Sequence, residues 1–175
     1  MGAGSAVGQD DREAFLAFYD DALPHVYGYL SARCGSRALA EDLTAETFLA
    51  AVNAVRKSAP PPMSRAWVLG VARHKLVDHW RRRAREERQL ELLADTAQDR
   101  DEPWDARLDA LLVRRCLDRL TAQHRVALTL RYLDDLPVAE VASLLGRSLH
   151  ATEALLVRAR AAFRRAYAGE ENDDA

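Results

Sequence analysis

Cysteine, glycine and long apolar runs are all scarce in this chain of 175 residues. The two cysteines, Cys34 and Cys116, form no CxxC pair, which argues against a disulfide framework or a cysteine zinc site and favours a reducing, cytoplasmic location. No run approaches the roughly 18 apolar residues of a membrane span, and residues 1–11 do not form a signal peptide pattern. With eight glycines and no phosphate-cradling loop, we expect no nucleotide cofactor.

Charge is nearly balanced overall but strongly segregated along the chain. The net charge of −2 argues against a protein that coats nucleic acid by bulk positive charge. Yet residues 73–85 carry six basic residues against Asp78, and residues 147–168 carry five arginines against Glu153. Arginines that neutralise phosphates release counterions and add affinity that depends on salt. Two nucleic-acid-facing helices are therefore predicted, although solvated helix faces would also explain such runs.

The pattern predicts an all-α fold of two small helical domains. Apolar residues recur every three or four positions, and strand signals are almost absent. Acidic residues and a proline replace this periodicity between the blocks, which is typical of a flexible acidic linker. We expect an N-terminal domain over residues 10–93, a linker over 94–105, a C-terminal domain over 106–168 and a disordered acidic tail over 169–175.

The first block contains three predicted helices. The first carries an apolar face from Phe15 to Leu30, and Pro24 predicts a kink or a break in it. The second runs from Ala40 to Val55. Three consecutive prolines predict a loop after Lys57, and a long helix follows from about Ser64.

The second block contains four helical patterns and the signals of a helix-turn-helix. Thr121 is predicted to cap the second of them, and Pro137 fits the first position of the third. Gly146 then ends the third helix, and Ser148 caps the fourth. Two helices joined by such a short turn match a helix-turn-helix, whose second helix enters the major groove of DNA.

Aromatic and histidine side chains near the first basic run allow two further interpretations. Trp67, Trp80 and His74 have the chemistry to stack on an unpaired base, although the apolar surroundings of Trp67 favour burial. His74, Asp78 and His79 have spacing compatible with a metal site. This metal signal is weak because a distant ligand motif is missing and the neighbouring arginines repel cations.

Three stretches together resemble the extracytoplasmic-function (ECF) sigma factors of bacterial RNA polymerase. Ala40 to Leu49 is similar to the polymerase-binding helix of that family. Trp67 to Arg83 is similar to its promoter-melting and −10-reading helix. Leu120 to Arg165 is similar to its −35-reading helix-turn-helix. The resemblance covers nearly the whole chain, with the three stretches in the family order.

The resemblance implies a non-enzymatic promoter-specificity subunit without a cofactor. Its implied partners are the β′ clamp of core polymerase, promoter DNA and an anti-sigma factor, with no membrane insertion of its own. The implied contacts with the core enzyme are Asp42, Glu46 and Phe48. Those with the −10 element are Arg73, His74, Arg81, Arg82 and Arg83, and those with the −35 element are Arg147, Ser148, His150, Glu153 and Arg158.

The chain departs from the family pattern at three positions. Ala45 stands where the family usually has Gln, and Glu153 and Leu155 stand where its recognition helix often has Lys and Arg. A carboxylate repels phosphates unless it accepts a hydrogen bond from cytosine, so Glu153 predicts an altered −35 preference. Leu155 is expected to be exposed and available for a protein contact.

Two other functions remain open from sequence. An ordinary helix-turn-helix regulator would bind duplex DNA without polymerase, but it would not need the stretch from Asp42 to Phe48. An all-α metal-dependent enzyme would use His74, Asp78 and His79. The balance of acidic and basic segments favours a subunit that binds DNA weakly alone and tightly on the polymerase.

Overall fold

The computed structural model describes residues 9–57, 59–90 and 110–173. Within these ranges the chain forms seven α-helices and no β-strand, which confirms the predicted all-α class. The helices are α1 (Gln9–Ser31), α2 (Arg37–Val55), α3 (Arg65–Leu90), α4 (Ala110–Asp118), α5 (Ala122–Leu128), α6 (Val138–Leu145) and α7 (Leu149–Asp173).

The helices group into two compact units, Met1–Leu76 and Val77–Ala175. Helix α3 contributes to both, because its first half lies in the first unit and its second half in the other. The predicted linker, residues 94–105, lies outside the described residues.

The first unit buries one face of each of its helices. Val26 and Leu30 of α1, Leu43 of α2 and Val68 of α3 are all at most 2% exposed. Helix α1 is continuous through Pro24, so the predicted break is wrong. A proline inside a helix costs about 3 kcal/mol. Here Pro24 is exposed, and burial of the residues around it holds the helix together.

Local capping signals set the ends of the helices in the first unit. The Ser36 hydroxyl accepts a hydrogen bond from the Leu39 backbone N–H at 3.2 Å, where α2 begins. The described residues between α2 and α3 are not helical, which agrees with the predicted proline loop. The Ser64 hydroxyl accepts from the Trp67 N–H at 3.2 Å, so α3 starts where the sequence indicates.

The helix-turn-helix of the second unit has the predicted boundaries to within one residue. Thr121 caps α5, accepting from the His124 N–H at 3.4 Å. Pro137 precedes the first turn of α6 rather than occupying it. Gly146 ends α6 with a φ of 63°, a left-handed conformation that favours glycine. The Ser148 hydroxyl accepts from the Ala151 N–H at 3.2 Å, capping α7.

Two features of the second unit differ from the expectation. A π-helical turn, Thr129–Leu133, follows α5, where a single α-helix is predicted. Helix α7 continues to Asp173, so the prediction of a disordered tail is wrong for residues 169–173. The Glu170 carboxylate is buried and pairs with Arg119 at 2.5 Å and Arg115 at 3.5 Å, which stabilises this extension against α4.

Candidate polymerase and promoter interfaces

The outward face of α2 combines acidic residues with one exposed apolar side chain. Asp42, Glu46 and Leu49 follow one another at helical spacing of four and three, and all are exposed. Leu49 is 63% exposed although its neighbours Leu43 and Phe48 are buried. We call Asp42, Glu46 and Leu49 the outward face of α2. Sequence reasoning identified the two acids but missed Leu49, whose spacing from them is the signal.

Phe48 lies largely inside the first unit. Its ring is 5% exposed and meets Tyr19 edge-to-face, with the ring centroids 4.6 Å apart. Phe48 and Tyr19 also line a mainly apolar cleft of about 430 Å³ between α1 and α2, together with Leu23, Tyr27 and Ala45. The structure therefore gives this predicted contact residue little outer surface, and most of its ring supports α2 from beneath.

Ion pairs connect the first half of α3 to both other helices of the first unit. Glu46 lies 3.5 Å from the Lys75 ammonium group. Arg65 donates two hydrogen bonds to the Asp21 carboxylate, at 2.7 and 2.8 Å. This bidentate contact lowers the pKa of Asp21 below its ordinary 3.8. These pairs join the first half of α3 to α1 and α2.

The predicted −10 contacts differ in their exposure to solvent. His74 is exposed, while the neighbouring Arg73 is partly buried. Arg81, Arg82 and Arg83 are all exposed. Arg83 pairs with Glu87 at 3.6 Å. His74, Arg81 and Arg82 therefore offer the freest surface for a partner.

Two tryptophans considered for base stacking are placed differently. Trp67 is partly buried, with its ring centroid 6.5 Å from that of Phe18. Trp80 is only 4% exposed, and the Arg125 guanidinium lies 4.7 Å from its ring centroid. A base cannot stack on Trp80 in this arrangement. His74 is the most exposed of the three candidates.

Exposed polar side chains lie at the start of α7, the second helix of the helix-turn-helix. Ser148, His150, Glu153 and Arg158 are exposed, as a groove-reading surface requires. Arg147 is partly buried and donates a hydrogen bond to the Gln123 side chain at 2.8 Å. Burial, followed by the charges of Arg88 and Arg158, lowers the pKa of Arg147 below its ordinary value.

Leu155 is fully buried, so the expectation that it is exposed is wrong. It lies on the same face of α7 as Thr152, Leu156 and Ala159, which are also buried. The physical reason is helical phase, since positions three and four apart share a face. Leu155 therefore belongs to the core of the second unit and is unavailable to a partner protein.

The candidate metal ligands do not form a cluster. Across the described residues, no group of three or more His, Cys, Asp or Glu side chains is placed to hold a metal ion. The His79 ring packs edge-on against Trp80, with the centroids 5.1 Å apart, whereas His74 and Asp78 are exposed.

Comparison with known proteins matches two separate regions of the chain. Residues 18–86 match the model of sigma-70 region 2, and residues 110–163 match that of sigma-70 region 4. The ECF RNA polymerase sigma factor SigC of Mycobacterium tuberculosis is 32% identical over 163 residues, covering 93% of this chain and 84% of the relative. The chain belongs to the ECF sigma factors. Such proteins are transcription initiation factors.

Two further comparisons describe the extent of the likeness. The ECF sigma factor BldN of Streptomyces coelicolor is 34% identical over 154 residues, and these cover 85% of this chain but only 58% of the relative. The solved structure of RpoE from Bartonella quintana, in complex with the anti-sigma factor NepR, matches with a TM-score of 0.51 and 19% identity. That match covers 91% of this chain and 97% of the solved one, and it supports the fold.

Two further arginines share the exposed side of α3 with Arg81. Arg85 and Arg88 follow Arg81 at spacings of four and three, so the three share one face of α3.

None of the described helices combines the length and apolarity needed to cross a membrane.

Proposed function

We propose that this sigma factor docks on core RNA polymerase through the outward face of α2 and grips promoter DNA with α3 and α7. In this proposal it acts in the cytoplasm and catalyses no reaction of its own. The observation that carries the proposal is the opposite chemistry of the exposed faces. Acids and a leucine cover one face of α2, while arginines dominate the exposed side of α3.

The outward face of α2 suits a protein partner. Exposed acids steer association with a basic surface, and an exposed leucine beside them offers apolar area whose burial against a partner is favourable. Asp42, Glu46 and Leu49 meet this description. In the proposal they contact the clamp of the β′ subunit, with Phe48 supporting them from the core.

The exposed residues of α3 suit the −10 element. Arg81 and Arg82 would contact phosphates, and His74 has an exposed ring that can meet an unpaired base. Arg73 and Arg83 are expected to help less, because Arg73 is partly buried and Arg83 pairs with Glu87.

The start of α7 suits the −35 element. Ser148, His150, Glu153 and Arg158 are exposed along its first turns, and Arg147 precedes them in the turn of the helix-turn-helix. Side chains in this position reach base edges when the helix lies in the major groove. Glu153 would then accept from cytosine N4 rather than contact a phosphate.

An anti-sigma factor is the proposed regulatory partner. The structural relative RpoE was solved with the anti-sigma factor NepR, and its fold matches this chain. The apolar cleft beside the outward face of α2 provides surface for such a partner. Competition between a candidate anti-sigma factor and core polymerase for the full chain would test this assignment.

Run-off transcription with purified core polymerase tests the function directly. We expect initiation from a cognate promoter, found by selection from a promoter library, only when the sigma factor is added. A charge-reversed variant, Asp42→Lys with Glu46→Lys, should lose initiation, and Arg56→Gln, on an exposed arginine after α2, serves as the control. Sequence-specific binding to duplex DNA without any initiation would instead favour an ordinary helix-turn-helix regulator.

A further inference from the structure

A cavity within the second unit is surrounded by arginines. It has a volume of about 390 Å³ and is lined by Arg81, Arg85 and Arg88 of α3 and by Arg147 of the helix-turn-helix turn. Its other lining includes Trp80, Gln123 and Leu155. Among the described residues, no carboxylate lines it. We call this space the arginine cavity.

The walls of the arginine cavity are held in place by specific contacts. The Arg81 guanidinium reaches Gly146 so closely that an added Cβ would lie 3.1 Å from its Nη2 atom. Arg147 is fixed by its 2.8 Å hydrogen bond to Gln123. The cavity therefore has positively charged groups on two elements, α3 and the turn before α7.

The described residues that line the cavity supply no negative charge to offset its arginines. Burial first, and then the charges of Arg88 and Arg158, disfavour the charged form of Arg147 and lower its pKa. On α3, Glu86 and Glu87 lie close in sequence but do not line the cavity, and Glu87 pairs with Arg83 and accepts from the Ala122 N–H at 2.9 Å. The Trp80 indole N–H is buried and has no hydrogen-bond partner among the described residues. Such a site gains electrostatic stability from an anion.

We propose that the arginine cavity binds a compact polyphosphate anion, either inorganic or the phosphate chain of a nucleotide. Arginine forks match phosphate oxygens in a bidentate geometry, and four of them can share several phosphate groups. The volume exceeds what one phosphate requires. An anion held between α3 and the helix-turn-helix would also stabilise the second unit.

This site has a consequence that rests on the proposed function. Arg81 is a proposed −10 contact and Arg147 a proposed −35 contact, yet both line one cavity. A polyphosphate bound there would occupy arginines that promoter DNA requires. Bound anion and promoter DNA should therefore exclude each other.

Isothermal titration of the full chain with sodium tripolyphosphate, in magnesium-free buffer, tests the site. We expect saturable binding of one anion per chain, and Arg85→Gln with Arg88→Gln should weaken it at least tenfold. Neither residue is among the −10 contacts predicted from sequence. Arg56→Gln, which removes an exposed arginine of the other unit, should bind as the original chain does. A parallel titration with ATP distinguishes a nucleotide from inorganic polyphosphate, because tighter ATP binding would assign the nucleotide.

Two results would overturn the site. One is the absence of saturable binding by either anion. The other is equal weakening by Arg56→Gln, which would indicate diffuse counterion association. Failure of the site is distinguishable from failure of the proposed function, because run-off transcription without polyphosphate does not require an anion in the cavity. Initiation without anion binding rejects the site alone, and anion binding without initiation rejects the function alone.

Discussion

The outward face of α2 and the arginine-rich second half of α3 are both exposed helix surfaces, but they differ in chemistry. On α2, two acids precede a leucine that is 63% exposed. On α3, Arg81, Arg85 and Arg88 follow each other on one side with no apolar residue exposed between them. An exposed apolar side chain suits contact with a partner protein, whereas repeated arginines suit contact with phosphates. The difference supports two separate partners for the two helices.

The largest expected effect comes from reversing charge on α3. Arg81→Glu with Arg82→Glu should reduce promoter-dependent initiation on the order of tenfold for each reversed charge, because phosphates are then repelled. Binding to core polymerase should persist, and abortive and run-off transcription from a fixed promoter measure the loss. Arg56→Glu is the matched control. Normal initiation by the double variant would remove α3 from the DNA-binding surface.

A pair of leucines sharpens the difference between buried and exposed apolar positions. Leu155→Ala should lower the free energy of unfolding by about 2–5 kcal/mol, because it removes a fully buried apolar side chain from the core of the second unit. Leu49→Ala should change it by less than about 0.5 kcal/mol, because the side chain is already in water. Urea denaturation followed by circular dichroism measures both. Equal effects of the two substitutions would contradict the assigned burial.

A smaller effect is expected for sequence preference at −35. Glu153→Lys should change which −35 sequences are selected, with discrimination at one base pair shifting by about 1–3 kcal/mol. Selection from a promoter library with original and variant protein makes the comparison. Identical selected sequences would show that Glu153 does not read a base.

The smallest effect is a pH dependence in the second unit. Burial, and then Arg158 and Arg165, lower the pKa of His124 below its ordinary 6.5. As the pH falls through 6.5, the unfolded chain therefore takes up a proton that the folded protein resists, and stability declines. His124→Gln should lose less stability between about pH 8 and about pH 5.5, as urea midpoints would reveal. An equal decline in both proteins would exclude His124 as the cause.

The features predicted best from the sequence are those that depend on residues close together along the chain. Caps at Thr121 and Ser148 and the left-handed Gly146 follow from local chemistry, and the structure has all three. Pro24 was misleading because burial of the apolar face around it outweighs the effect of the proline on the helix. The prediction that Leu155 is exposed was wrong, although the periodicity of α7 already places Leu155 beside Thr152 and Ala159.

The candidate sites were predictable to different degrees. The residues of α2 and α7 follow from motifs in single helices, so spacing alone brings them together. The arginine cavity joins α3 to Arg147, which is distant in sequence. Only tertiary packing creates that site, and helical spacing on α3 indicates no more than that Arg81, Arg85 and Arg88 share a side.

Core-polymerase affinity tests most directly the claim that α2 and α3 serve different partners. Leu49→Asp on α2 and Arg81→Glu with Arg82→Glu on α3 would be compared by fluorescence anisotropy of labelled sigma factor titrated with purified core enzyme. The account predicts that Leu49→Asp weakens core binding by about tenfold or more, as loss of an apolar anchor does, while the α3 variant binds as the original chain does. Unchanged binding by Leu49→Asp together with weakened binding by the α3 variant would contradict it.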